Sequence, residues 1–305
     1  MLKKTIRIGT RNSPLALWQA NEVKTKLEKL GFETELKPIT STGDIVLDKP
    51  LYEMGITGIF TKTLDVAMIQ GEVDIAVHSM KDVPTLLPKG IVQTAVLKRA
   101  SVDDILVTKE PFNPKEICTI ATGSLRRKAQ WLHRYPHHHV VGLRGNVNTR
   151  LQSLSDNDWQ GAIFAKAGLE RIDLLPKNHE KLTWMVPAPA QGAMVVVAME
   201  NDPFCLQATS LLNDGKAEMC TTVEREFLRE LEGGCTAPIG AFAKISKDQI
   251  HFKGALLSLD GSQKLAVEET AEIYELEGFG KKCAQHILTN GGKELMAAIK
   301  KDLEK

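Results

Sequence analysis

The chain has 305 residues, 43% of them hydrophobic and 25% charged, with a net charge of +1. That length suits about two domains, with a third possible, each able to bury its own core. The near-zero charge argues against a nucleic-acid binder, and the lack of an apolar run of about 18 residues argues against a membrane span. The five cysteines are scattered and form no CxxC pair, so neither a disulfide framework nor a zinc ribbon is expected. The N-terminal "MLKKTIRIGTRNSPLALWQ" is broken by Arg7, Arg11 and Asn12 before any apolar stretch builds up, so no signal peptide is read there. Free thiols fit a reducing cytoplasm.

"TIRIGT" alternates as a short strand. Ser13-Pro14 is a helix start, with serine as cap and proline in the first turn. Ala16, Ala20, Val23, Leu27 and Leu30 follow at helical spacing up to Gly31. "FETELKPI" is a second strand and "STGD" a turn. Residues 45–58 show no periodicity and are read as a mobile loop. "TKTLDVAMIQG" is a short helix, and "VDIAVHSM" an apolar strand stopped by "KDVP". A similar rhythm starts after Arg99: "DDILVT" and "EICTIAT" as strands, "GSLRRKAQWLHRY" as a helix, "HHVVGLRG" as a strand, "NVNTRLQSL" as a helix. This alternation predicts two α/β domains. "GAMVVVAME" is a strand able to return to the first of them. The last third changes character. "TTVEREFLRELEGG" reads as a helix opened by a Thr221–Glu224 capping box, followed by alternating strands and a terminal helix carrying Leu295, Ile299 and Leu303. The expected boundaries are 1–98 with 192–212, then 99–191, then 213–305 as a smaller α+β domain.

Arg11, Arg126, Arg127, Arg144 and Arg150 fall at predicted strand ends or in first helical turns. In open α/β sheets ligands bind beyond the carboxyl ends of the strands, where helix N-termini add N–H donors. "TGSLRR" therefore reads as an anion cradle, with Thr122 and Ser124 beside two guanidinium forks, and "GLRGNVNTR" repeats it. One such arginine would be a solvated charge; the set points to a polyanionic ligand. Lys81 and Asp82 end the strand "VHSM". Asp82 is either a turn aspartate or a group that stabilises a cation or moves a proton. "HRYPHHH" cannot aim consecutive imidazoles at one metal ion and is read as a solvated turn. Cys235 follows two glycines in "ELEGGCTAPIG", as either a small turn residue or an accessible nucleophile. The other four cysteines sit in apolar or helical contexts and read as structural.

The ordered set "RNSPLALWQ", "STGD", "GIFTKTLD", "DIAVHSMKDVPT", "TGSLRRKAQ", "LRGNVNTRL", "AKAGLERI", "PAPAQGA" and "LEGGCTAPIGA" closely resembles the porphobilinogen deaminase family. The resemblance implies two α/β domains of the periplasmic-binding-protein type with a cleft between them, plus a C-terminal α+β domain carrying a cysteine loop. It implies a dipyrromethane cofactor in thioether linkage to Cys235. Four porphobilinogen molecules would be condensed head to tail with loss of ammonia, and hydroxymethylbilane released by water. Residue by residue, it places Lys81, Asp82, Thr122, Ser124, Arg126, Arg127, Arg144 and Ser13 at the cofactor. It places Arg11, Ser13, Gln19, Arg144, Arg150 and Phe60 at the substrate, and Asp82 at the chemistry. The 45–58 loop would be a lid. No nucleic acid, membrane or metal is implied, and the absence of heptads favours a monomer. Three positions depart from the family pattern: Thr57 in the lid, Ala100, and Ala190 where glycine is common. The alternative is a two-lobed anion solute-binding protein without catalysis.

Overall fold

A helix with apolar residues on one stripe must bury that stripe against a neighbouring layer, and residues 4–40 follow that rule. In the computed structural model, which describes residues 4–40, 61–231 and 237–304, β1 (Ile6–Arg11) leads into α1 (Pro14–Lys29). Ser13 Oγ accepts from Ala16 N at 3.4 Å, and Ala16, Ala20, Val23 and Leu27 form the buried face of the helix. β2 (Thr34–Ile39) returns parallel to β1. The "STGD" turn, the 45–58 loop, Phe60 and Cys235 lie outside the described residues.

The chain continues through α2 (Lys62–Ile69) to β3 (Ile75–Ser79), which is parallel to β1 and runs into a 3-10 turn at Met80–Asp82. After β4 (Ile91–Val96), a second series begins with β5 (Asp104–Thr108), β6 (Thr119–Ala121) and α3 (Leu125–Arg134). It goes on through β7 (His139–Val141), α4 (Val147–Asp156), β8 (Gly161–Ala165), α5 (Lys166–Glu170) and β9 (His179–Lys181). β10 (Met194–Met199) then pairs antiparallel with both β3 and β4, the return expected of "GAMVVVAME".

The two five-stranded sheets have matching order, β2-β1-β3-β10-β4 and β7-β6-β8-β5-β9. In each, three parallel strands are followed by one antiparallel strand. The described parts of 1–46, 56–100 and 192–218 form one compact unit, and those of 101–191 and 219–305 form another. In the first, Ile6, Ile8, Val77 and Val196 pack against Val23 and Leu27 of α1. In the second, Ile105, Val107 and Phe164 cover one face of the sheet, and Leu106, Ile120 and Trp131 the other.

The rest of the chain adds α6 (Pro203–Ser210), α7 (Gly215–Glu230) and an antiparallel sheet of β11 (Ile239–Ser246), β12 (Gln249–Leu257) and β13 (Lys264–Glu272). α8 (Phe279–Ile287) and α9 (Lys293–Leu303) follow, joined by a kinked turn. Phe227, Phe252, Ile287, Leu295 and Ile299 share one core, which makes this the α+β part of the molecule.

α7 does not open at Thr221. It begins at Gly215, where Asp214 Oδ1 accepts from Ala217 N at 2.8 Å, and Thr221 and Glu224 lie fully buried within the helix. The Glu224 carboxylate accepts instead from Ala190 N at 2.6 Å and Ala243 N at 2.7 Å. A Thr-x-x-Glu spacing does not separate a helix cap from a buried acid that ties neighbouring segments together. Ala190 itself has a φ of 60°, the left-handed backbone for which glycine is favoured.

Candidate functional site

In the first unit, β1 and β3 are parallel neighbours, so their carboxyl ends lie side by side. Arg11 ends β1, and Ser13 caps the α1 N-terminus directly after it. The turn after β3 carries Lys81 and Asp82. These ends frame a concavity that Arg11, Ser13, Gln19, His78, Ser79 and Asp82 line. Gln19 is buried and donates through Nε2 to Ser79 Oγ at 2.9 Å, tying α1 to β3 beneath it. Among the described residues no hydrogen bond or ion pair engages the Asp82 carboxylate, which is half-buried. The concavity thus joins a guanidinium, a helix N-terminus and a hydroxyl to one carboxylate. A guanidinium and a helix N-terminus suit carboxylates, and a carboxylate suits N–H groups, so the residues present fit the pyrrole carboxylates and pyrrole nitrogens of the dipyrromethane that the resemblance implies.

In the second unit, β6 and β7 are parallel neighbours, which brings "TGSLRR" and "GLRGNVNTR" together. Thr122 N donates to Val141 O at 2.9 Å. A Cβ on Gly123 would run into the Leu143 carbonyl oxygen, so only glycine allows the two loops to approach this closely. Ser124 caps α3, accepting from Arg127 N at 3.4 Å. Asn146 caps α4, accepting from Thr149 N at 3.0 Å, and Arg150 Nε donates to Gly145 O at 2.8 Å. Arg144 and Arg150 are half-buried beside these loops.

Arg126 and Arg127 are not solvated. Each is 5% exposed, and both pair with Asp104, which is 1% exposed. Arg126 Nη1 donates to Asp104 Oδ2 at 2.7 Å and to Val186 O at 2.7 Å. Arg127 donates from Nε to Asp104 Oδ1 at 2.9 Å and from Nη1 to Ile163 O at 3.0 Å. Gln191 Nε2 adds a bond to Asp104 Oδ1 at 3.1 Å. Asp104 opens β5, which runs antiparallel to β8, so it lies at the carboxyl end of β8 near the start of α3. Burial alone would raise the pKa of Asp104. The charges of Arg126 and Arg127, with hydrogen bonds from Arg126 and Gln191, outweigh it and hold the pKa at about 2. The carboxylate therefore stays ionised and fixes both side chains.

Sequence reasoning passed over Asp104, Gln191 and His78. The signal for the first was an acid inside the apolar strand "DDILVT"; for the third, a histidine inside "DIAVHSM". The "HRYPHHH" stretch is only in part a solvated turn. His137 and His139 are exposed, but His138 is buried, accepts from Trp131 Nε1 at 3.2 Å and stacks on Tyr135. Cys118, Cys205, Cys220 and Cys283 are all buried, as read from their contexts. Burial pushes the Cys205 and Cys283 thiols up to about 12.

Comparison with known proteins agrees with these motifs. A family model described as the porphobilinogen deaminase dipyromethane cofactor binding domain matches residues 6–207, and the porphobilinogen deaminase C-terminal domain matches 218–289. The porphobilinogen deaminase of Chloroherpeton thalassium is 37% identical over 312 residues, covering 99% of each chain. That of Syntrophotalea carbinolica is 38% identical over 306 residues, covering 98% of this chain and 97% of its own. Among solved structures, a periplasmic substrate-binding protein from Coxiella burnetii aligns with 68% of this chain and 91% of its own, at 16% identity and a TM-score of 0.43. On the family matches and the near-complete coverage of its relatives, the chain belongs to the porphobilinogen deaminase family.

Proposed function

We propose that this chain performs the reaction for which its family is named: stepwise condensation of four porphobilinogen molecules onto a covalent dipyrromethane, with loss of ammonia, then hydrolysis to hydroxymethylbilane. The observation that carries this reading is the Arg11–Ser13–Gln19–Asp82 concavity at the joined ends of β1 and β3, in a chain of this family. Membership of an enzyme family leaves the non-catalytic solute-binding alternative without support.

When bound, dipyrromethane supplies the pyrrole carbon from which the chain grows. Cys235 is the residue we assign to its thioether. Ser13, Lys81, Thr122, Ser124, Arg126, Arg127 and Arg144 hold its carboxylates, and Arg11, Ser13, Gln19, Arg144, Arg150 and Phe60 hold those of the substrate. Each added ring brings two carboxylates, which matches a positive field confined to the site while the net charge stays at +1. Asp82 has the catalytic role. Its carboxylate stabilises positive charge that develops as the substrate's aminomethyl group leaves as ammonia, and it carries protons at the pyrrole nitrogen. The 45–58 loop acts as the lid that keeps water out before the last step. Arg126 and Arg127 meet the ligand as a pre-set pair, because Asp104 has already fixed their geometry.

The three-domain division at 1–98 with 192–212, 99–191 and 213–305 belongs to the same reading, as do a cytoplasmic setting and a monomer. Four buried free thiols support the reducing setting, and among the described residues no helix is long and apolar enough to cross a membrane. No nucleic-acid partner is proposed. Intact-mass spectrometry of the active protein tests the whole scheme. A covalent adduct of two pyrrole units that disappears in Cys235→Ser is the expected result; active protein at the bare polypeptide mass would sink it.

A further inference from the structure

We propose that His78 is a further binding residue of this site: a buried imidazole on the floor of the first unit's concavity whose Nε2–H is kept for a carboxylate oxygen of the bound pyrrole. The proposal rests on the reading of that concavity as a carboxylate site.

Strand alternation puts His78 where it is. On β3, Ile75 and Val77 face the core shared with α1, so Ala76 and His78 point to the other side of the sheet. His78 is 5% exposed, and among the described residues its buried Nε2 has no hydrogen-bond partner. Buried polar atoms in native proteins are nearly always paired. Structural need does not account for the exception, since an aliphatic residue would fill the position without leaving a polar atom unmatched. What His78 does adjoin is the ligand concavity, which it lines together with Arg11, Ser13 and Asp82.

The electrostatics agree with the geometry. Burial, and then the nearby Arg11 charge, pull the His78 pKa down to about 4, so the ring is neutral at physiological pH. Among the described residues, Arg11 and Asp82 are the charged groups that line the concavity, with Lys81 next to Asp82 and the N-terminus of α1 at its edge, and on the sheet the apolar Val195 lies opposite His78. A neutral imidazole still has one N–H to donate. A carboxylate docked at Arg11 would accept that proton donor and offset the guanidinium, and both effects raise the His78 pKa in the complex.

The test uses holoenzyme and a pyrrole diacid that lacks the aminomethyl leaving group, so that it binds without reacting. Long-range proton–nitrogen spectra of the eight histidines, with His78 assigned through His78→Gln, report its tautomer directly. Addition of the diacid is expected to shift the His78 Nε2 resonance together with the backbone amides of Arg11 and Ser13. If the amides move and His78 does not, the inference is wrong while the site reading stands. If neither moves, the site reading itself fails and the inference goes with it. In turnover assays His78→Phe, which keeps the volume but loses the donor, is expected to raise KM by about 5- to 10-fold with little change in kcat, the worth of one hydrogen bond. His78→Gln, with an amide donor, is expected to recover most of that loss. An unchanged KM in His78→Phe, whatever its melting temperature, would overturn the proposal.

Discussion

Two regions occupy equivalent places on matching sheets and use charge in opposite ways. In the first unit, the ends of β1 and β3 hold a half-buried Arg11 and Asp82 around a concavity, with a neutral histidine beneath them. In the second, the start of α3 near the end of β8 holds two arginines that are buried and locked onto Asp104. The first arrangement keeps charged groups at a surface a ligand can reach. The second takes its charges out of water and makes them rigid.

Exchange of the two acids separates the roles most sharply. Asp82→Ala is expected to lower turnover by about 10²- to 10⁴-fold, the usual worth of a positioned acid–base group, with little effect on melting. A turnover near wild type would remove Asp82 from the chemistry. Asp104→Ala is expected to do the reverse in kind. It strands two buried guanidinium groups and should destabilise the fold by about 3–5 kcal/mol, read from denaturant unfolding. If stability survived, the buried cluster would not be the rigid element described above.

Acid titration distinguishes the regions again, in different pH windows. Asp104 has a pKa depressed to about 2 from an ordinary 3.8, so its stabilisation is complete above the ordinary value and lost as pH falls towards 2. His78 is a base held neutral, with a pKa near 4 against an ordinary 6.5. Between those values the unfolded chain binds a proton that the folded chain refuses, so stability falls as pH drops from 6.5 to 4. Unfolding measured across pH 2–7 should show both slopes. His78→Phe is expected to flatten only the upper one, and Asp104→Asn only the lower; loss of both slopes in either variant would contradict the assignment.

The smallest expected effect lies beside the buried cluster. Ala190 has a φ of 60° while its amide donates to Glu224, and the next residue, Gln191, bonds to Asp104. Ala190→Gly relieves the left-handed strain and is expected to stabilise by about 0.5–1 kcal/mol in the same unfolding assay. A net loss would mean that the Glu224 contact, rather than the residue type, sets the conformation at no cost.

Much of this was legible in the residues. Local pattern located β1, α1, β3 and α3, and α1 was marked by its cap, Ser13 with Pro14; that Ser124 caps α3 came from the structure. The order of the motifs carried the family, and with it the identity of Arg11, Asp82 and Cys235 as the residues to watch. What only the tertiary structure decided was the environment of each charge. "TGSLRR" looks the same whether its arginines face water or a buried acid, and the acid that settles it lies some twenty positions earlier in "DDILVT". Thr221–Glu224 has the spacing of a cap, yet Glu224 bonds to backbone far away in sequence. His78 reads as one polar residue in an apolar strand, and only the tertiary structure shows that its nitrogen is buried, unmatched among the described residues, and that the residue lines the concavity. Local sequence sets backbone conformation through sterics and short-range hydrogen bonds. The state of a charge depends on desolvation and on partners brought near by the fold, and no local pattern carries that information.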